Sequence, residues 1–311
     1  MSGLPFFEIG TRLNLITQKI YSPIVKKSIT IHAKERFGMQ NRLAFLIVAI
    51  FSAGIHPLLA QDVAVPPAAQ EPFAITDNSF LVEEALNQEA GIFQNIFSAT
   101  AESGRSWEAA FTQEWPLLSR RHQVSYTVPW SAVDGRSGVG DALVHYRLQV
   151  FDGTGARPAF SPRVSLIVPS GSSSRGLGNG GAGWEVNLPF SKQVRDAYFH
   201  WNAGFTHLPA ARIDGGQRNL VTPRIAGSAI WRTRPMLNLM LEGVLEWPEG
   251  TAADPEGRGQ SLTVVPGLRT GWDIGETQTV VGIGVPLTRQ DGESSTGVLI
   301  YFSYELPFSR R

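Results

Sequence analysis

Two features of the sequence have residue types that could do chemistry. The first is Gly176-Leu177-Gly178-Asn179-Gly180-Gly181, which matches the dinucleotide-binding pattern G-x-G-x-x-G. That pattern holds a pyrophosphate only where a strand precedes it and a helix follows it, because the helix N-terminus binds the phosphates. Here a serine run, Ser172 to Ser174, leads in, and a strand pattern begins at Trp184. The glycine run therefore predicts a flexible external loop and no cofactor site.

The second feature is a set of histidines, His145, His200 and His207, on segments with strand periodicity. A metal site needs ligands clustered at fixed spacing, and the sequence shows no such cluster. A hydrolase would pair a histidine with a serine or with carboxylates, but the serines fall mostly in predicted loops. We therefore expect no catalytic residues and no metal ligands.

The composition favours an exported membrane protein built of strands. Lys+Arg and Asp+Glu both number 27, and this zero formal net charge argues against a nucleic-acid binder, whose surface usually carries a basic excess. A hydrophobic content of 42% is too low for a helical membrane protein but ordinary for a barrel with one lipid-facing and one wet face. The absence of cysteine excludes disulfides and cysteine zinc sites, and it suits passage through an oxidising periplasm.

An export signal is indicated by the long apolar stretch over residues 43–55, which Arg42 precedes and Leu58-Leu59-Ala60 follows. A basic flank, a short apolar segment and small residues at a cleavage point are typical of a secretory signal peptide. A membrane-spanning helix would need about 20 apolar residues. We expect cleavage after Ala60, which makes Gln61 the mature N-terminus.

The residues on either side of this signal carry separate expectations. Residues 1–38 are basic and too long for the start of a signal peptide, so residues 1–60 are predicted to be an N-terminal extension followed by the signal peptide. The simplest account is that translation starts at Met39 after an extension of the gene model, and the alternative is an uncleaved anchor helix. Residues 61–77 are expected to form a flexible leader. Asp77-Asn78-Ser79 could then cap a short helix over residues 80–86.

From about residue 105 onward, apolar and polar residues alternate, which predicts strands with two different faces. In residues 237–247, for example, leucines alternate with an amide and two carboxylates. Such segments number about twelve, the first near residues 91–101, and an even number suits a closed antiparallel barrel. We therefore predict an all-β fold, an antiparallel transmembrane β-barrel of about 12 strands, over residues 78–311.

The lengths of the predicted connections alternate, and this alternation assigns an orientation. Outer-membrane barrels have tight turns on the periplasmic side and longer loops outside. We therefore expect the long loops outside and both termini in the periplasm. A soluble β-sandwich is the alternative fold, but it gives no reason for such a rhythm. Long connections are predicted at residues 170–181, 209–219, 248–260 and 288–296, and short ones at residues 191–196, 232–235 and 273–276.

The polar faces of the predicted strands carry charges of both signs, and these would line the interior if the apolar faces meet lipid. Mixed charges can pair and close a lumen, or they can line a wet pore; pairing is favoured because selective pores tend to show one dominant sign. Twelve strands leave a narrower lumen than the open porins have, so small solutes are the expected cargo. The predicted lumen-lining residues are Glu108, Glu114, His145, Arg147, Arg163, Glu185, His200, Arg224, Arg232, Glu242, Glu246, Arg269 and Asp273.

Two stretches resemble known proteins. Residues 78–91, Asn-Ser-Phe-Leu-Val-Glu-Glu-Ala-Leu-Asn-Gln-Glu-Ala-Gly, resemble the segment that opens a group of uncharacterised exported bacterial proteins. Residues 163–171, Arg-Val-Ser-Leu-Ile-Val-Pro-Ser-Gly, with the glycine-rich loop and Trp184-Glu-Val-Asn-Leu-Pro after them, are similar to the "MetA-pathway of phenol degradation" outer-membrane family. This resemblance covers most of residues 78–308 and implies a barrel that takes up hydrophobic or aromatic compounds, without catalytic residues. The C-terminus departs from the usual barrel ending on an aromatic residue, because Phe308 is followed by Ser-Arg-Arg.

The sequence as a whole predicts a bacterial outer-membrane barrel, exported by its signal peptide, that acts as a passive channel for small hydrophobic or aromatic solutes. It is expected to use no cofactor and to bind no nucleic acid. The expected partners are outer-membrane lipid, the barrel assembly machinery and a small hydrophobic solute. Two alternatives remain, a non-conducting structural barrel that displays its external loops and a barrel lipid hydrolase.

Overall fold

A computed structural model describes residue 75 and residues 77–308, apart from residues 104–105, 118, 134, 214–215, 250–256 and 276. The predicted N-terminal extension, the signal peptide and almost all of the leader lie outside the described residues. Within the described residues, no helix is both long enough and apolar enough to cross a membrane. The described chain is almost entirely strand, with a single turn of 3-10 helix at Ser173–Arg175.

The strands form one antiparallel sheet that closes on itself, because β1 pairs with β2 on one side and with β16 on the other. The sixteen segments make fewer wall strands. β4 and β5 count as one strand because both pair with β3, and β14 and β15 count as one because both pair with β13 and β16. β6 and β7 form a small hairpin within one connection. The described chain therefore forms the predicted barrel of twelve strands. The segments are β1 (Ile92–Glu102), β2 (Ser106–Leu117), β3 (Ser119–Val133), β4 (Arg136–Val139), β5 (Ala142–Leu148), β6 (Phe151–Asp152), β7 (Ala159–Phe160), β8 (Arg163–Val168), β9 (Gly183–Val194), β10 (Ala197–Ile213), β11 (Gly216–Arg234), β12 (Leu237–Glu246), β13 (Ser261–Ile274), β14 (Thr277–Gly284), β15 (Leu287–Gln290) and β16 (Glu293–Pro307).

Residues along each strand alternate between a buried inward face and an exposed apolar outward face. On β5, His145 and Arg147 are buried while Val144 and Tyr146 are exposed. Successive side chains of a strand point to opposite sides, so a sequence period of two separates the two faces. The outward apolar side chains form a belt around the wall, as they do in barrels that lie in lipid.

Both described chain ends lie at the same end of the barrel, because Ile92 at the start of β1 pairs with Pro307 at the end of β16. We call this end the terminal end and the opposite end the loop end. An even number of antiparallel strands requires this arrangement. The first and last strands of the described wall therefore begin and end on one side, as predicted for the barrel.

One predicted long loop, residues 209–219, is wrong. β10 continues to Ile213 and β11 begins at Gly216, with an irregularity of register just before Ala211. Ala211, Ile213 and Leu220 are buried in one apolar cluster on the inner face. Their burial favours continuing both strands through residues whose composition is typical of a loop.

The predicted long loop over residues 288–296 is also wrong, because β15 ends at Gln290 and β16 begins at Glu293. Asp291 and Gly292 between them have φ angles of 47° and 93°. An Asp-Gly pair with two positive φ angles is a preferred two-residue hairpin turn. The strand breaks confirm the other predicted connections, the long ones at residues 170–181 and 248–260 and the short ones at residues 191–196, 232–235 and 273–276.

A long connection was not predicted at the terminal end, but residues 149–162 form one there. It contains the small hairpin of β6 and β7, in which Phe151 pairs with Phe160. The guanidinium of Arg157 lies 3.7 Å from the centroid of the Phe151 ring, a cation–π contact. Connection length alone therefore distinguishes the two ends of this barrel less clearly than the sequence suggested.

Candidate functional site

The residues ahead of β1 lie inside the barrel. We call residues 75–91, without residue 76, the plug. Ile75 packs near Gly271 at the terminal end, residues 80–82 reach Glu242 in the middle of β12, and Gln88 returns to Gln123 near the start of β3. The plug is therefore a loop inserted from the terminal end, and its apex, residues 78–83, lies about halfway along the lumen.

The helix predicted over residues 80–86 is wrong, because wall side chains bind its backbone. The N–H groups of Glu83 and Ala85, which a helix would bond internally, donate to Asn202 and Ser191 at 2.8 and 2.7 Å. The N–H groups of Phe80, Leu81 and Val82 donate to the carboxylate of Glu242 at 2.7, 2.7 and 3.1 Å. Hydrogen bonds to an ionised acceptor are stronger than neutral ones. One wall carboxylate thus binds three consecutive N–H groups of the apex.

Two arginines of the wall bind the carbonyl groups of the plug. Nη1 of Arg269 donates to the carbonyls of residues 77 and 78 at 2.7 and 2.6 Å. The guanidinium of Arg147 donates to the carbonyls of residues 84 and 86 at 3.2 and 2.6 Å. Backbone groups buried away from water need such partners. Much of the polar lumen surface therefore serves to satisfy the plug.

The ring of Phe80 is the main apolar contact between the plug apex and the wall. It lies over Gly267, Gly282 and Gly284 on the neighbouring strands β13 and β14. A Cβ built on Gly282 would lie 2.5 Å from the ring, and one on Gly267 would lie 2.6 Å from it. Glycine inside a strand often marks such a close approach. These glycines form a socket, and the ring fits into it because glycine has no side chain.

We expect Gly282→Val to displace the plug, because the new side chain would occupy the volume of the Phe80 ring. The sequence of the plug itself stays unchanged. Overpacking of this kind costs about 1–3 kcal/mol, or roughly tenfold to hundredfold in the population of the displaced plug. Limited proteolysis of the folded protein should then cleave the plug faster. Ile283→Val, on the exposed outward side of the same strand, is the matched control. Equal cleavage rates in the two variants would contradict the socket.

The apex also completes a network of ion pairs. The carboxylate of Glu83 lies 3.1 Å from Arg147 and 3.0 Å from Arg163, and Arg163 also pairs with Glu185 on β9. Burying a cation without a partner costs several kcal/mol. Because Glu83 belongs to the plug, removing the plug would leave these two wall arginines short of negative charge.

Ten of the thirteen predicted lumen-lining residues are buried in the barrel. Glu108 and Arg232 are half-buried, and Arg232 pairs with Asp196 at 2.8 Å at the terminal end. Asp273 is exposed beside the turn between β13 and β14, so it does not line the enclosed lumen. The ten buried residues are Glu114, His145, Arg147, Arg163, Glu185, His200, Arg224, Glu242, Glu246 and Arg269.

The predicted histidines are held by neutral or cationic neighbours. His145 lies 2.7 Å from the hydroxyl of Ser165 and 2.8 Å from Arg163, while His200 lies 2.7 Å from the hydroxyl of Ser191. Among the described residues, neither histidine makes a hydrogen bond to a carboxylate, the third member that a catalytic triad needs. No cluster of three His, Asp or Glu residues suited to a metal occurs in the part of the chain that the structure describes.

The glycine-rich connection between β8 and β9 is folded, and its predicted flexibility does not match its contacts. We call residues 169–182 the cap. The carboxylate of Asp141 accepts the N–H groups of Gly171 at 2.8 Å and of Asn179 at 2.7 Å. Leu177 is buried against β4. The cap is thus held to the loop end of the wall by one carboxylate, one buried side chain and further hydrogen bonds such as that from Arg175 to the carbonyl of Ser137.

A cavity of about 110 Å³ lies against the apex of the plug, and we call it the chamber. Its floor is formed by residues 78–83 of the plug. Leu143 and Pro129 line it toward the loop end, and Arg163 and Asn187 line it from the side. The sequence did not predict the chamber, because part of its lining, residues 78–83, comes from a segment for which a short helix was expected.

The comparisons with known proteins concern the fold. No family model matches the chain, and no curated protein matches it. Among solved structures, the chain is similar to an outer membrane channel from Pseudomonas putida F1, with 13% identity, 78% of this chain and 99% of that chain covered, and a TM-score of 0.53. The outer membrane channel DcaP of Acinetobacter baumannii is 9% identical over 72% of this chain and 100% of its own, with a TM-score of 0.34. The first of these similarities establishes that the chain has the fold of an outer-membrane β-barrel.

Proposed function

We propose that the protein is an outer-membrane channel for small solutes, and that its plug closes it in the conformation described above. The observation that carries this proposal is the content of the lumen. Small barrels that are simply sealed fill their interior with side chains of the wall. Here the wall leaves space for a separate segment, which the barrel holds by reversible hydrogen bonds and one aromatic socket.

Location in the outer membrane is part of the same proposal. The apolar outward belt supports it, because contiguous apolar surface of this extent is normally covered by lipid or protein. Large aromatic side chains such as Trp115, Trp231 and Trp272 are exposed near the terminal end, where indole groups favour a membrane interface. With the long cap outside, the plug would enter from the periplasm.

The proposal also specifies the class of solute. The resemblance of residues 163–171 to the "MetA-pathway of phenol degradation" family supports hydrophobic or aromatic compounds. Leu143, which lines the chamber, also suits solutes with apolar groups. The narrow lumen restricts the cargo to small molecules.

Single-channel recording in planar bilayers tests the proposal. Removal of residues 75–88 should produce a steady conductance that the full chain shows only in brief openings. Heat-modifiable migration on a gel and recovery in the outer-membrane fraction would show that both proteins are folded barrels. A folded, inserted variant that stays non-conducting without its plug would refute the channel.

A non-conducting structural barrel is the second candidate. The many buried contacts of the plug favour it, because they could hold the plug permanently and stiffen the wall. The same recording separates the two candidates. If the barrel is structural, the full chain should show no brief openings, and the variant without the plug should be less stable.

A further inference from the structure

We infer that the chamber is a binding site for a small uncharged molecule with one apolar end and one hydroxyl or N–H group. As a statement about the transported solute, this inference rests on the proposed channel function. The binding itself can be measured without any transport.

Part of the chamber lining is apolar. Phe80 and Leu81 contribute from the plug, and Ile96 and Leu143 contribute from β1 and β5. A solute with a short hydrocarbon end would remove this surface from water, which is the main source of affinity in most small-molecule pockets. Because the plug supplies part of the apolar lining, the solute would contact the plug and the wall at the same time.

The charged groups around the chamber already have partners. Arg163 pairs with Glu83 at 3.0 Å and with Glu185. Glu114 accepts a hydrogen bond from Gln123 at 2.8 Å and lies 3.9 Å from Arg147. A charged solute would have to break one of these buried pairs or remain without a counter-charge, and both are costly. The lining therefore selects against ions.

One acceptor on the chamber wall lacks a donor. Asn187 donates its Nδ2 to Glu83 at 2.7 Å, which fixes the orientation of the amide. Its Oδ1 is buried and accepts no hydrogen bond from the described residues, although Asn187 is only 3% exposed. A buried acceptor without a donor is unfavourable. A hydroxyl or N–H group of a bound solute would satisfy it after a small shift of the side chains that cover it.

The volume limits the size of the solute. The chamber measures about 110 Å³. A dry protein cavity of about 150 Å³ is known to admit benzene. The chamber is of the same order, so it suits a small molecule of about the size of benzene, such as 1-butanol, which combines a short apolar chain with one hydroxyl group.

Saturation-transfer NMR of 1-butanol with the full-length folded protein in micelles tests the site. Wild type should show a saturable signal above linear partitioning into detergent. Leu143→Trp, which fills the chamber, should lose the saturable part, whereas Val144→Trp on the lipid-facing side of the same strand should keep it. Gel migration before and after heating would establish that both variants fold. A saturable signal that survives in Leu143→Trp, or that is missing in wild type, would overturn the proposed site.

Three analogues test the predicted chemistry. Methyl propyl ether has the same atoms as 1-butanol but no hydroxyl donor, and it should bind several-fold more weakly. Butyrate and butylammonium have a similar chain length but carry a charge, and they should show no saturable signal. Equal binding of the ether or of either ion would contradict the inference. Failure of the channel would appear in the bilayer recordings, whereas failure of the site would appear only in these titrations.

Discussion

Glu242→Ala is expected to raise the ratio of open to closed channels about a hundredfold. The substitution removes one carboxylate that accepts the N–H groups of Phe80, Leu81 and Val82. A hydrogen bond to a charged group contributes about 1.5–3 kcal/mol, and bonds that share one acceptor are not additive. A total loss of about 3 kcal/mol corresponds to roughly a hundredfold change in population.

Single-channel recording measures this ratio directly as the fraction of time spent open. Glu242→Gln should give an intermediate value, because an amide keeps one oxygen acceptor but loses the charge. Glu246→Ala is the matched control, since it removes a carboxylate from the same face of β12. The Glu246 carboxylate lies 3.8 Å from Arg224. If Glu242→Ala and Glu246→Ala change the open fraction equally, the effect reflects lost charge in the lumen and not release of the plug.

The barrel wall could be predicted from the sequence because its signal is local. Side chains of a strand alternate every residue, so the inward position of Glu242 or Arg269 follows from the apolar residues on either side. The same regularity explains why Asp273 was predicted to line the lumen although it is exposed. Asp273 is in phase with the inward-facing residues of its strand but lies next to a turn. Its position along the strand decides its exposure, and alternation carries no information about that position.

The plug could not be predicted, because the partners that fix its conformation are distant in sequence. Phe80 and Glu242 are 162 residues apart, and Ala85 and Ser191 are 106 residues apart. Residues 80–86 contain good helix formers after a possible cap, so local preference favours a helix. Tertiary hydrogen bonds outweigh that preference here.

The connections were mispredicted for a related reason. Composition places Asp291 and Gly292 within a loop, although together they form a two-residue turn that lets both strands continue. The cap has the opposite property. Its glycines suggested flexibility, whereas Asp141, which lies 30 residues before Gly171, holds two of its N–H groups. Composition indicates where a strand can stop, but long-range contacts decide whether it does.

A disulfide between Ser79→Cys and Ser228→Cys is expected to close the channel reversibly. The two hydroxyl oxygens lie 3.1 Å apart and are buried between the plug and β11. Two sulfur atoms at these positions need only a small movement to reach the bond length of about 2.05 Å. Because the chain has no native cysteine, the pair can form no other intramolecular disulfide.

The disulfide is most informative when combined with Glu242→Ala. In that background the oxidised protein should lose the roughly hundredfold gain in open fraction, and a reducing agent should restore it. Each single cysteine variant should respond to neither oxidation nor reduction. Glu242→Ala also changes the charge of the lumen, whereas the disulfide constrains the plug and leaves that charge alone. Reversal by the disulfide would therefore assign the closed state to the plug, and equal conductance of the oxidised and reduced proteins would mean that the channel is closed elsewhere.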